Sequence, residues 1–250
     1  MVRRAIVVGA PSAEGAAYLA GVGKDMNAYF EFLCSPFGGA WAVSEIVRLN
    51  SPTWSDLHAE LAVPAEFVLT IFSGHGEYRD QQSRIAINYG EQIRAVEDFR
   101  AHNAPRQLTI LDTCRYIEPE RRLAEDKVGS GTIGSLPDAY WMQCRAAFDQ
   151  AVISAPPSRE IMFACAIGET SADGPGGGLF SRSLIGMALQ WAREARAAHG
   201  PYGSQRFVLQ VPEAFAYAKA ETERYNLPEQ QQHPELYTHR GFAHVPFAVV

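Results

Sequence analysis

A histidine and a cysteine each stand just past a run of apolar, β-prone residues. His75 lies in Phe72-Ser73-Gly74-His75-Gly76, after Phe67-Val68-Leu69-Thr70-Ile71. Cys114 lies in Leu111-Asp112-Thr113-Cys114-Arg115, after Gln107-Leu108-Thr109-Ile110. In an open parallel sheet, chemistry collects at the carboxyl ends of the strands. If these two strands are neighbours, the imidazole and the thiol face each other across one cleft. A free thiol titrates near ~8.5 and an imidazole near ~6.5, so the ring can take the thiol's proton. That pairing predicts a cysteine peptidase, with Cys114 the nucleophile and His75 the general base. Small neighbours leave the backbone open to an extended substrate. The amides of Gly76 and Cys114 are expected to form the oxyanion hole, and a glycine at 76 lets its amide turn outward without steric cost. Packing alone would favour valine or leucine at these strand ends, not flanking glycines and an aspartate.

The elements that must position this pair alternate along the chain. Ala5 to Val8, Glu45 to Leu49, Phe67 to Phe72, Gln107 to Leu111 and Ile161 to Ile167 read as strands, with a last one inside 242–250, starting near Pro246. Arg84 to Asn88 reads as a small strand or rib. Helices are expected over 24–33, over 92–102 (Ile93, Val96 and Phe99 spaced by three), and over 139–154, 179–198 and 213–225. A further helix opens at Ser51-Pro52, serine as N-cap and proline at the first helical position. Residues 115–137 read as a long polar loop. The expected architecture is an α/β/α sandwich with a mostly parallel central sheet of about six strands, in one domain spanning 1–250.

Composition narrows the function classes. The chain has 250 residues, 47% hydrophobic, with a net charge of −6. That balance leaves no basic footprint for nucleic acid. No run of about 18 apolar residues suggests a spanning helix, and Ala5-Ile6-Val7-Val8 is too soon broken by Gly9 and Pro11 to be a signal peptide. The expected location is the cytoplasm. Cys34, Cys114, Cys144 and Cys165 are scattered with no zinc-ligand spacing, and all but Cys114 read as small core hydrophobes. His58 and His102 fall on expected helices. His199, His233, His239 and His244 fall in polar stretches without ligand spacing. No metal or cofactor is therefore expected. A G-x-S-x-G elbow is missing, which argues against an α/β hydrolase.

The motifs Ser73-Gly74-His75-Gly76 and Asp112-Thr113-Cys114-Arg115 resemble those of the caspase-like cysteine peptidases, and within them the metacaspase-type and bacterial homologues. Gly168-Glu169-Thr170-Ser171-Ala172-Asp173, then Phe180-Ser181 opening a helix, resembles the family segment lining the substrate groove. The resemblance implies a caspase-like fold over most of the chain and a Cys-His endopeptidase acting on protein or peptide substrates. Asp112 would line an acidic P1 pocket with Asp25 and Ser73, selecting Arg or Lys; the charge logic is general, since paired carboxylates favour a guanidinium or ammonium. Substrate backbone would pair as an added strand beside Cys165-Ala166-Ile167, making Ala166 a binding residue. The chain departs from metacaspases in Arg115-Tyr116-Ile117, where they carry His-Ser-Gly, and in having no aspartate cluster like their calcium site. Arg121, Arg122 and Lys127 would suit self-cleavage in 115–137. Stand-alone bacterial relatives imply a further reading, an antiviral effector awaiting a nucleotide-type or protein activator; the alternative is a catalytically weak or inactive binding scaffold on a caspase-like fold, gated by a small-molecule or protein partner.

Overall fold

Apolar runs that end at glycine or a polar residue become the strands of the sheet. The computed structural model describes residues 1–91, 94–115, 136–199, 206–241 and 243–250. Its strands are β1 (Arg3–Ala10), β2 (Ile46–Asn50), β3 (Phe67–Gly74), β4 (Gly76–Arg79), β5 (Gln82–Ile85), β6 (Arg94–Ala95), β7 (Arg106–Asp112), β8 (Ser158–Phe163), β9 (Val208–Gln210), β10 (Glu235–Tyr237) and β11 (Pro246–Val249). Its α-helices are α1 (Val22–Cys34), α2 (Trp54–Leu61), α3 (Asp138–Ser154), α4 (Leu179–His199) and α5 (Val211–Glu223). A six-stranded sheet runs β10-β8-β7-β3-β1-β2, parallel except for β10.

Alternation along the strands divides the core in two. Ala5, Val7, Leu69, Ile71, Leu108 and Ile110 pack with side chains of α1, α3, α4 and α5. Ile6, Val8, Val68, Phe72 and Leu111 pack with Trp54, Leu57 and Leu61 of α2 and with Val96 and Phe99. Both faces are covered, so every residue of β3 is buried, as a central parallel strand requires. The expected α/β/α sandwich is the fold of this chain.

Several boundaries differ from expectation. The N-cap of α2 is Thr53, whose hydroxyl accepts from the Asp56 amide while the Asp56 carboxylate accepts from the Thr53 amide. This reciprocal box outcompetes Ser51, which stands at φ +46°. The expected helix over 92–102 is a short strand, Arg94–Ala95, followed by one 3-10 turn, Val96–Phe99. A spacing of three serves that turn as well as an α-helix. Residues 92 and 93 lie outside the described ones. β8 stops at Phe163, four residues early. The final strand, β11, leaves the central sheet and pairs antiparallel with β9. The sixth sheet strand is instead β10, whose Glu-Leu-Tyr has too few residues to show alternation. Of the stretch expected to be a self-cleavage loop, residues 116–135 lie outside the described ones. Among the described residues no helix is long and apolar enough to cross a membrane.

Candidate active site

β3 and β7 are neighbours, with Ser73 opposite Asp112. His75 and Cys114 each lie two residues further on. Residues 75 and 114 therefore leave the same ends of two adjacent strands. Both side chains line one narrow cleft with Asp25, Ser73, Asp112, Ser171 and Asp173. β1 flanks β3 on its other side and pairs Ala10 with Gly74. The next residue, Pro11, places its carbonyl oxygen 3.3 Å from His75 Nε2. A carbonyl only accepts, so in the neutral ring Nε2 carries the hydrogen and Nδ1 is the basic nitrogen. Pro11 thus orients the imidazole. Sequence reading missed it, because nothing local says that β1 lies beside β3.

Cys114 is half-buried, its Sγ 3.7 Å from the Ser171 carbonyl. Its neighbours hold the strand end. Arg115 is buried; its guanidinium pairs with Glu235, donates to Ser83 Oγ at 3.0 Å and lies 4.1 Å from the centre of the Phe163 ring. Cys165 lies behind, donating to the Thr113 carbonyl at 3.4 Å and the Glu169 carbonyl at 3.3 Å. Burial, with Cys114 adding to it, pushes the Cys165 thiol well up, so it stays protonated and structural. Cys144 is buried likewise, and Cys34 is half-buried and packs against the core from its edge.

Gly76 touches this same strand end. A Cβ there would stand 2.2 Å from Thr113 Oγ1, 2.8 Å from the Arg84 carbonyl and 3.0 Å from the Cys114 carbonyl. Backbone contact with the cysteine's own strand end demands glycine here. Gly76→Ala is expected to lose about 1–3 kcal/mol in denaturant unfolding. A melt as stable as wild type would show that the contact yields cheaply.

The carboxylates gather at the N-terminus of α4. Asp25 accepts from Ser73 Oγ at 2.6 Å and from the Gly178 amide at 2.9 Å. Asp112 accepts from Ser171 Oγ at 2.6 Å and from the Ser181 amide at 2.9 Å. The glycine run lets α4 come this close: a Cβ on Gly178 would sit 2.3 Å from Asp112 Oδ2. Each oxygen still has a second lone pair for a cation. Burial, then Asp112, raises the Asp25 carboxyl well above its ordinary 3.8, against the pull of Ser73 and Gly178. Burial also raises Asp112, opposed by Ser171, Ser181 and the charge of Arg182. Asp173, half-buried, is raised by burial and takes the Gly21 amide at 3.2 Å. Sequence reading quoted Ser171 and Asp173 only as part of a block and missed their place beside Asp112.

A carboxyl whose folded value is raised stabilises the fold most below its unfolded value, near 3.8 for Asp25, and that stability is lost as pH rises through the folded value. The melting temperature of wild type minus that of Asp25→Asn should therefore fall as pH rises above about 4. A small guanidinium such as agmatine should restore more of it at the higher pH. A difference flat across that range would contradict this account.

Ala166 does not reach the cleft. The segment after β8 folds back, and the Ala166 amide donates to Glu169 Oε2 at 3.2 Å while its carbonyl accepts from the Glu169 amide at 3.1 Å. Its backbone is engaged and not open to pair with substrate, which corrects the expected binding role. Glu169 also holds His233 Nδ1 at 2.6 Å. Fully buried Gln232 accepts from the Ala172 amide at 3.0 Å and donates to the Ala164 carbonyl at 2.9 Å. Gln232 thereby holds Ala172, which lines the cleft.

No protein-family model matches the chain, and no curated protein matches it in sequence. Solved structures do. Caspase-1 from Spodoptera frugiperda aligns over 94% of this chain and 85% of its own, with a TM-score of 0.55 and 12% identity. Protein GSU0716 from Geobacter sulfurreducens aligns over 95% of this chain and 93% of its own, with a TM-score of 0.51 and 14% identity. At such identities the likeness is one of fold, and the fold is caspase-like.

Proposed function

We propose that the chain is a cysteine endopeptidase that cuts after arginine or lysine. The observation that carries this reading is the meeting of His75 and Cys114 in one cleft, with Pro11 orienting the ring and carboxylates on the adjoining wall. His75 Nδ1 takes the thiol proton. The Cys114 sulfur attacks the scissile carbonyl, and the amides of Gly76 and Cys114 receive the oxyanion. The imidazolium returns its proton to the leaving amine. Water, deprotonated by the same ring, releases the acyl group and regenerates the thiol. Asp112, Asp25 and Ser73 receive the basic P1 side chain, whose charge offsets two buried carboxyls.

The direct test is covalent capture. An arginyl acyloxymethyl ketone should label Cys114 stoichiometrically, leave Cys34, Cys144 and Cys165 unmodified in peptide mapping, and outpace its aspartyl counterpart. Labelling spread over all four thiols, or faster with the aspartyl reagent, would refute the reading.

A further inference from the structure

Glu160 is fully buried in the middle of β8, an unusual place for a carboxylate. Its Oε1 lies 3.0 Å from His244 Nδ1 and 3.6 Å from His239 Nδ1. Its Oε2 has no hydrogen-bond partner among the described residues, nor does His239 Nδ1. The other ring nitrogens are committed: His239 Nε2 lies 3.2 Å from the Ala243 carbonyl and His244 Nε2 lies 3.1 Å from the Gly241 carbonyl. Carbonyls only accept, so both Nε2 atoms carry hydrogen. In the neutral rings both Nδ1 atoms are then lone pairs, aimed at a carboxylate oxygen. Three electron-rich atoms, all within 4.8 Å of one another, converge on one point. Thr238 Oγ1 also lies 3.3 Å from His244 Nδ1, and the repulsion among the three atoms is offset by a positive charge at that point, either a metal ion or a proton on His244 or Glu160.

We infer that Glu160, His239 and His244 form a binding site for a zinc-class divalent ion. In a tetrahedron with bonds of about 2.0–2.1 Å, neighbouring donors stand about 3.4 Å apart, and the separations of 3.0 and 3.6 Å bracket that edge. Two imidazoles and one carboxylate suit zinc, leaving the fourth position for water. Each ring donates its far N–H to a backbone carbonyl, which fixes the tautomer a metal needs. The sequence hid the site because one ligand comes from β8 and two from the segment after β10. Antiparallel pairing of Tyr237 with Ile161 brings that segment past Glu160. Glu160 is paired with Leu108, six residues before Cys114, so the ion sits about 20 Å of strand away from the thiol. It would fasten β10, whose Glu235 holds Arg115 beside Cys114.

The test is Co2+ and Zn2+ titration of a Cys114→Ala, His75→Ala double variant, which removes the thiol and imidazole of the cleft as competitors. One ion per chain is expected, with the visible spectrum of tetrahedral cobalt, no thiolate charge-transfer band, and a higher melting temperature with metal than after chelation. Adding His239→Gln or His244→Gln should weaken binding by about tenfold or more, while His58→Gln leaves it unchanged. Both ligand variants replace partly exposed rings, and their melts report folding separately. Absence of stoichiometric metal in the double variant, a thiolate band, or equal affinity after His239→Gln would each overturn the inference. None of these outcomes bears on whether Cys114 cleaves peptides.

Discussion

Cys114→Ala is expected to cleave an arginyl fluorogenic peptide about 10⁴–10⁶-fold more slowly than wild type, the scale seen when one member of a nucleophile and base unit is removed. The cleft holds no second thiol aligned with His75; Cys165 is buried and donates to the Thr113 and Glu169 carbonyls. The substitution takes away a sulfur 3.7 Å from the Ser171 carbonyl, and stability should change by about 1 kcal/mol or less. Activity and folding are therefore separable in this variant. His75→Ala should lose a comparable factor, and the double variant should be no slower than Cys114→Ala, because two groups that act in one proton transfer are lost together. Multiplicative losses in the double variant would mean that the residues work independently. Undiminished turnover by Cys114→Ala would end the peptidase reading.

The second large effect concerns charge at P1. For Asp112→Asn, kcat/KM on arginyl substrates should fall about 10²–10³-fold, as expected when one partner of a buried, hydrogen-bonded charge pair is neutralised at about 2–5 kcal/mol. Citrulline has nearly the shape of arginine without its charge. Wild type should prefer arginine to citrulline strongly, and the ratio should shrink in Asp112→Asn and again in Asp25→Asn. Because Asp25 and Asp112 share one pocket and one helix terminus, the two effects should not add. Asparagine retains an oxygen for Ser171 Oγ but turns an amide toward the Ser181 N–H, so thermal melts must accompany the kinetics. An unchanged arginine-to-citrulline ratio would remove the P1 assignment and leave the nucleophile untouched.

Particular residues show what could be read locally. The runs ending at Gly9, at Ser73-Gly74 and at Asp112 announced β1, β3 and β7, and the polar residues beyond them announced where a cleft would open. Asp25, Ser73 and Asp112 were drawn together by resemblance, and the structure brings them to the wall beside His75 and Cys114. Thr53 was overlooked as a cap because its partner, Asp56, is the shorter acid of a capping box. Ala166 was placed on a strand because Ile161 to Ile167 is apolar throughout, yet Glu169 and Gln232 capture that backbone and end β8 at Phe163.

From its sequence alone this chain determined the five parallel strands of the central sheet, that they lie in a covered sheet, and that an imidazole and a thiol stand at two strand ends. Those properties follow from side-chain periodicity and from turn residues, which act over a few positions. Only the tertiary structure decided that β3 lies between β1 and β7, that Pro11 therefore reaches His75, that α4 brings its amides onto Asp25 and Asp112, and that His239 and His244 meet Glu160. Each of these depends on hydrogen-bond register or contact between segments from 39 to about 150 residues apart. Pairing at that distance is chosen by burial of the whole sheet, and it leaves no local mark on either partner.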